Sequence, residues 1–332
     1  MSIFGKGRDE EIDDEEEILE ERPSPKKIRD LAPENRRKRK EPVKPWGRTE
    51  RIVVLIFLLL TILIPAGLGL SARNWKLPGL PKLSLPKLSF ENEPIVIEGD
   101  DSDRRKTSQA KDYFLGATQE LSGVYALYVI RLDDGSSYGV NHTQVMQAAS
   151  LIKLPIMAMV YKKAEDGIIE LDSKAPDSSS TYRQLLEAMG QRSDNSAQIK
   201  VVSALGEDKI QKYIDDLGME DTSFKENLTT PKDIGLFFER LFKGLVIGEA
   251  GREEMLGFLT NTIYEDWIIK GIGKVRVAHK YGREVHVVND AGIVYSNRPF
   301  VLVILSDGVV EGEADRVIPQ IAAKIFEIET SR

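Results

Sequence analysis

The spacing of hydrophobic positions divides this chain into four unequal stretches. Residues 1–50 carry too few apolar side chains, in no regular period, to build a core, and are predicted to be a disordered tail. Residues 52–70 (IVVLIFLLLTILIPAGLGL) form an unbroken apolar run. Wound as a helix at ~1.5 Å per residue, that run spans roughly 28 Å, close to the ~30 Å hydrocarbon core of a bilayer. It predicts one transmembrane helix over 51–71. Residues 72–106 contain a tandem Leu-Pro-Lys-Leu-Ser unit. Regularly spaced prolines block helix and central strand, so this stretch reads as an extended, semi-rigid stalk. Only from 107 to 332 do strand-like and helix-like periods alternate, over a length that suffices for one core.

Within 107–332 the pattern predicts a helix over 107–120 and a strand over 124–131 (VYALYVIR). A turn at Asp133-Asp134-Gly135 follows, then a returning strand over 136–140, which together make a hairpin. Helical spacing covers 150–166, 181–190, 195–205, 207–217, 231–242 and 249–259. Strands return at 274–281, 285–294 and 300–306, and an amphipathic helix over 314–329 ends the chain. Strands, a helical block, strands and a last helix argue for an α+β fold with a mostly antiparallel sheet. The first and last helices are expected on one face of that sheet. The helical middle is expected to form a subdomain, with a cleft between it and the sheet.

Charge sharpens the reading of the first half. Residues 9–21 are almost all acidic and 36–40 (RRKRK) are all basic. The basic cluster, with Lys44, Arg48 and Arg51, precedes the apolar run, and far fewer basic residues follow closely. The positive-inside rule therefore predicts a cytoplasmic N-terminus, a lipid bilayer as partner of 52–70, and an extracytoplasmic folded domain. Trp46 and Trp75 flank the run as interfacial anchors do, and Pro65 should kink its last turns. RRKRK is absorbed by this bias, so no nucleic-acid partner is expected. A cleaved signal peptide is the competing reading. It would need an n-region of about 50 residues, an apolar run longer than the usual ~7–15, and cleavage at the poor site Leu70-Ser71-Ala72. The chain has no cysteine, hence neither disulfides nor a lipid-modified cysteine, and the exported part must rely on packing.

Candidate chemistry comes from three short motifs in order: Ser150-Leu-Ile-Lys153, Ser193-Asp-Asn195 and Lys280-Tyr-Gly282. Ser-x-x-Lys alone says little, since it recurs at Ser24, Ser84 and Ser108. Around Ser150 the neighbours Leu151, Ile152, Leu154, Ile156 and Met157 are apolar. A lysine one turn on from the serine, desolvated among them, has a lowered pKa and can accept the serine proton at neutral pH. Pro155, inside the first helical turns, has no evident role here. Ser193-Asp194-Asn195 has the composition of a helix cap. It equally suits Ser193 as a proton relay, Asn195 as an amide contact for substrate and Asp194 as a loop anchor. Lys280 supplies a second cation that would lower the pKa of Lys153 and bind a substrate carboxylate. The backbone N–H groups of Ser150 and Arg283 are the candidates for an oxyanion hole. Of the three histidines, His142 falls in a turn, and His279 points away from Lys280. With His286 they suggest neither a Ser-His-Asp set nor a metal site, and no cofactor is implied.

These motifs, with AASLIKLPIMAMV, RSDNSAQIKVVSALG, LTTPKDIGLFFERL, AHKYG and VVNDAGIVYSNRPFVLVIL, resemble the class A β-lactamases and their penicillin-binding relatives over nearly all of 107–332. The resemblance implies a β-lactamase-like fold, catalytic Ser150, Lys153 and Ser193, and substrate contacts at Asn195, Lys280, Tyr281, Gly282 and Arg283. It implies a β-lactam or a D-Ala-D-Ala-type cell-wall peptide as the acyl donor. Two departures stand out. The segment 218–228 (GMEDTSFKENL) runs straight into Thr229-Thr230-Pro231, without the long loop and Glu-x-x-x-Asn that supply the deacylating carboxylate in those enzymes. Glu226 is the nearest substitute, at a different spacing from Asn227. Tyr281 replaces the small hydroxyl residue of Lys-Thr/Ser-Gly; it either reaches the carboxylate from another angle or narrows the cleft. The expectation is a membrane-anchored serine hydrolase with slow deacylation. The alternatives are a non-catalytic cell-wall binding module and an esterase of the same superfamily.

Overall fold

The computed structural model describes residues 101–331, with seven positions between 52 and 61. The chain separates into two units, Met1–Pro86 and Lys87–Arg332. In the first, Ile52, Val54, Leu55 and residues 58–61 are helical with exposed side chains. Among the described residues no helix is long and apolar enough to cross a membrane. The rest of the predicted span, the tail and most of the stalk lie outside the described residues.

The second unit is built on a five-stranded antiparallel sheet. Its strands are β1 (Val124–Arg131), β2 (Ser137–Val140), β5 (Val277–Glu284), β6 (Val287–Val294) and β7 (Phe300–Asp307), in the order β2-β1-β7-β6-β5. A second, two-residue ladder joins β3 (Met146–Gln147) to β4 (Leu228–Thr229). The near-continuous apolar runs of β1 and β7 follow from burial on both faces. Ala126, Tyr128 and Ile130 enter one core with Val301, Val303 and Leu305. Tyr125, Leu127 and Val129 enter the other with Phe300, Leu302 and Ile304.

That second core is covered by α1 (Asp101–Thr118), α8 (Ile268–Ile272) and α9 (Glu311–Thr330). The first is covered by the helical middle: α2 (Lys153–Glu165), α3 (Tyr182–Arg192), α4 (Asn195–Leu205), α5 (Glu207–Asp216), α6 (Pro231–Phe242) and α7 (Glu249–Thr260). Local signals set several starts. Thr181 and Gln184 make a reciprocal capping box at α3, Asp194 caps α4, and Thr230 caps α6 with Pro231 at its first position. The expected α+β architecture is therefore present. Two helices differ most. The first helix begins at Asp101, earlier than its apolar period suggests, and its Lys106 Nζ donates to the Ser331 carbonyl at 2.6 Å. Helix α8 is unanticipated because Gly271 interrupts its pattern. Gly271 is needed there, since a Cβ would fall 2.2 Å from the Pro319 carbonyl oxygen of α9.

The hairpin β1–β2 turns through Gly135 (φ 79°), with Ser136 N–H donating to Asp134 Oδ1 at 2.7 Å. It is pinned to α9 by a buried charge cluster. Arg131 donates to both Glu329 oxygens (2.7 and 3.0 Å), and the Tyr138 hydroxyl donates to Glu329 Oε1 at 2.8 Å. Removing one partner of a buried pair leaves the other charge uncompensated, which typically costs about 3–5 kcal/mol. Glu329→Ala should lose that much in urea unfolding, whereas Lys324→Ala, which breaks only a surface pair with exposed Glu327, should change stability by less than about 0.5 kcal/mol.

Candidate active site

Ser150 is carried on a short turn that three other segments hold in place. The strand leading to it pairs with β4, and Ala148 N–H donates to the Asn227 carbonyl at 2.8 Å. From β6, Asn289 Nδ2 donates to the carbonyls of Gln147 (2.8 Å) and Ala148 (3.3 Å), while its Oδ1 accepts from Ser306 N–H at 2.9 Å. Gly282 on β5 packs from the third side. A Cβ there would stand 3.0 Å from Ser150 N and 3.1 Å from Ala148 O, so only glycine brings the Gly282–Arg283 peptide alongside the Ser150 amide. Within this clamp Ala149 adopts φ 49°, a left-handed conformation that costs a non-glycine residue about 1–3 kcal/mol.

Ser150 is the second residue of a 3₁₀ turn, Ala149–Ile152, that feeds into α2 at Lys153. In a 3₁₀ turn, side chains three apart eclipse. Lys153 Nζ accordingly donates to Ser150 Oγ at 2.7 Å and to Asn195 Oδ1 at 2.7 Å. Lys153 is 1% exposed. Burial lowers its pKa to about 8, against the attraction of Glu284 and Asp194, which favours the ammonium. Pro155 finds its explanation here: it occupies the third position of α2, in the first turn, where the N–H it lacks would have no partner within α2.

The second motif bridges α3 and α4. Ser193 ends α3 in a left-handed conformation (φ 55°), and Asp194 Oδ1 accepts from Ala197 N–H at 2.9 Å as the cap of α4. The anchoring expected of Asp194 is present. Asn195 presents its oxygen to Lys153. Ser193 Oγ is buried beside the Tyr281 phenol.

The third motif departs most from expectation. Strand β5 runs on to Glu284, past the predicted end near Tyr281, because its pairing with β6 continues to Glu284↔Val287. Lys280 is fully buried, its Nζ 3.1 Å from the Tyr281 carbonyl and 4.1 Å from the Tyr281 ring centroid. Burial first, and the charge of Lys153 second, push its pKa well below the ordinary lysine value. Tyr281 is buried against Tyr264 and Trp267, with centroids 4.1 and 5.8 Å away. Tyr281 belongs to the second core and does not line the Ser150 cavity. The Arg283 guanidinium makes a paired contact to Asp315 (2.8 and 3.1 Å).

Ser150, Lys153, Asn195 and Arg283 line one cavity of about 260 Å³. The same cavity is lined by Asn227 and Glu284, whose side chains meet at 3.1 Å, and by Phe224 and Gln198. None of these four was singled out as a site residue; Asn227 and Glu284 are 57 positions apart and lie in no motif. Glu226, the substitute base considered from sequence, lines a separate cavity of about 530 Å³. His279 is buried on the far side of β5, its Nδ1 2.7 Å from Asp290 Oδ1 and its Nε2 3.0 Å from Thr262 Oγ1. No hydroxyl nucleophile of the cavity contacts it among the described residues. No group of acidic or imidazole side chains fit to hold a metal occurs among the described residues.

The sequence profile described as the Beta-lactamase enzyme family matches residues 107–328. No curated protein matches the chain. Among solved structures, PBP-A is similar at 23% identity with a TM-score of 0.61, over 67% of this chain and 95% of that one. A β-lactamase from Sphaerobacter thermophilus is similar at 21% identity and TM-score 0.61, over 66% and 96%. One from Xanthomonas campestris has 15% identity and TM-score 0.62, over 68% and 98%. At these identities the likeness is one of fold.

The Lys153 amine should titrate near pH 8, measurable by NMR on ¹³Cε-labelled lysine. Glu284→Gln removes a carboxylate that favours the ammonium, so the midpoint should move lower still. A midpoint that stays or rises would show that Glu284 does not act on Lys153.

Proposed function

The chain belongs to the β-lactamase enzyme family, and on that premise we propose that it is an active-site serine hydrolase. It forms an acyl-enzyme at Ser150 with a D-Ala-D-Ala-type cell-wall peptide or a β-lactam. The observation that carries this reading is the 2.7 Å contact between Lys153 Nζ and Ser150 Oγ, made by a lysine almost wholly removed from water. A non-catalytic binding module has no use for a desolvated lysine held on a serine, since its burial only costs stability.

In the proposed reaction Lys153, in its neutral form, takes the Ser150 proton as Oγ attacks the carbonyl carbon. The oxyanion is received by the N–H groups of Ser150 and Arg283, each such donor typically contributing about 2.7–4 kcal/mol. Ser193, buried beside the Tyr281 phenol, passes the proton on to the leaving nitrogen, and collapse releases the amine. Asn195 holds Lys153 through its oxygen and turns its amide toward the bound substrate. Water then hydrolyses the ester. Glu226 lies on the neighbouring cavity, and the carboxylate on this one, Glu284, is engaged by Asn227, so the acyl-enzyme is long-lived. A PBP-A mutant is described as an acyl-enzyme complex with penicillin G, a precedent of the same fold. An esterase activity is the second reading, favoured by the closed position of Tyr281 over Lys280.

We further propose that 52–70 anchors the protein in the cell membrane, with residues 1–50 cytoplasmic and the hydrolase domain outside. Supporting this are the apolar run itself, the basic residues before it and the exposed helical positions within it.

Incubation of the protein with penicillin G, followed by intact-mass spectrometry, should reveal an adduct on Ser150 that Ser150→Ala abolishes. Lys153→Ala should slow its formation by about 10²–10⁴-fold. In the wild type the rate should rise with pH through about 8, as Lys153 loses its proton. An adduct at equal rate in Ser150→Ala would sink the assignment. For the anchor, the full chain should stay with membranes in alkaline carbonate, and deletion of 52–70 should release it; release of the intact chain would contradict an integral anchor.

A further inference from the structure

Acyl donors of the β-lactam and C-terminal D-alanyl kinds carry a carboxylate close to the scissile bond. A site that takes them needs a cation free to meet it. Lys280 is the residue expected to do so, but it is fully enclosed, its ammonium set on the Tyr281 carbonyl and over the Tyr281 ring. It does not line the cavity of Ser150. Tyr281 is only 7% exposed, and its ring packs at a tilt against Tyr264 and Trp267.

Those two rings are themselves fixed. Thr262 Oγ1 donates to the Tyr264 carbonyl at 3.0 Å and meets His279 Nε2 at 3.0 Å. Trp267 Nε1 donates to Asp315 Oδ1 at 3.0 Å, and Ile268 N–H donates to Asp290 Oδ2 at 2.9 Å. The cover over Lys280 is thus part of the packed structure rather than a loose side chain.

The remaining charges on the cavity do not replace Lys280. Lys153 is committed to Ser150 and Asn195, and Arg283 is paired with Asp315. The third charged group, Glu284, is negative and would repel a substrate carboxylate. Among the described residues, then, no uncommitted cation lines the cavity.

Building on the acyl-enzyme reading, we infer that Tyr281 sets substrate specificity. It seals Lys280 away from the cleft, so that the site favours esters or amides without a carboxylate beside the scissile bond, such as an internal peptide bond. β-Lactams and free C-terminal D-alanyl peptides are its slow substrates.

The test compares kcat/KM for nitrocefin, which carries a carboxylate, with that for p-nitrophenyl acetate, which carries none. The full chain is used, solubilised in detergent. Tyr281→Thr should raise the nitrocefin-to-ester ratio by at least about tenfold, the scale of one charge-assisted hydrogen bond. Tyr281→Phe, which keeps the ring, should leave the ratio near that of the wild type. Tyr264→Ala, which removes support from outside the strand, should shift it in the same direction as Tyr281→Thr. Adding Lys280→Gln to Tyr281→Thr should cancel the gain. Ester turnover with an unchanged or lower ratio in both Tyr281→Thr and Tyr264→Ala would overturn the inference alone. No ester turnover and no Ser150 adduct in any variant would overturn the acyl-enzyme reading, and this inference with it.

Discussion

Lys153 keeps 1% of its surface in contact with solvent, and the chemistry assigned to this protein depends on its being held there. Removing an ammonium from water is costly unless it is hydrogen-bonded, and the cost is met in part by lowering its pKa. Two acceptors, Ser150 Oγ and Asn195 Oδ1, receive its protons. Both must be rigid for the arrangement to persist. Ser150 is rigid because β4, β6 and β5 each grip the backbone just before it, strongly enough to hold Ala149 in a left-handed conformation. Asn195 is rigid because Asp194 caps the helix on which it sits.

The sheet explains why these segments meet. Alternate residues of β1 and β7 feed two separate cores, so the sheet is a partition buried on both sides. Strand β5 ends the strand order. Its outer edge is where the helical layer, the Ser150 turn and the loop before α6 can approach the same strand. That loop is short but not loose. Asp233 Oδ2 accepts from Thr222 Oγ1 (2.7 Å) and Asp221 N–H (2.9 Å), and the Thr222 and Thr229 hydroxyls are 2.8 Å apart. The network fixes the segment that delivers Asn227 to the cavity.

Two buried lysines on facing elements would repel if both were charged, and each has its pKa depressed, mainly by burial. The aromatic ring against Lys280 offers an electrostatic partner that needs no counter-charge.

Much of this was legible in the sequence, for a local reason. Helix and strand periods, the caps at Thr181, Asp194 and Thr230, and the turn at Gly135 act over a few residues, so element order and the α+β class could be read directly. Of the motif residues, Ser150, Lys153 and Asn195 line the Ser150 cavity, the first two together because Ser-x-x-Lys is itself a one-turn geometry, while Ser193, Lys280, Tyr281 and Gly282 do not. What only the tertiary structure decided joins distant residues: Asn289 holding Gln147 across 142 positions, Glu284 meeting Asn227 across 57, and Gly271 making room for Pro319. The fate of Tyr281 belongs to that group, since its rotamer is set by Tyr264 and Trp267, which no spacing rule links to it. Local propensities act over a turn or a strand pair; whether a buried cation faces the substrate or an aromatic ring is determined by what packs against it from elsewhere in the chain.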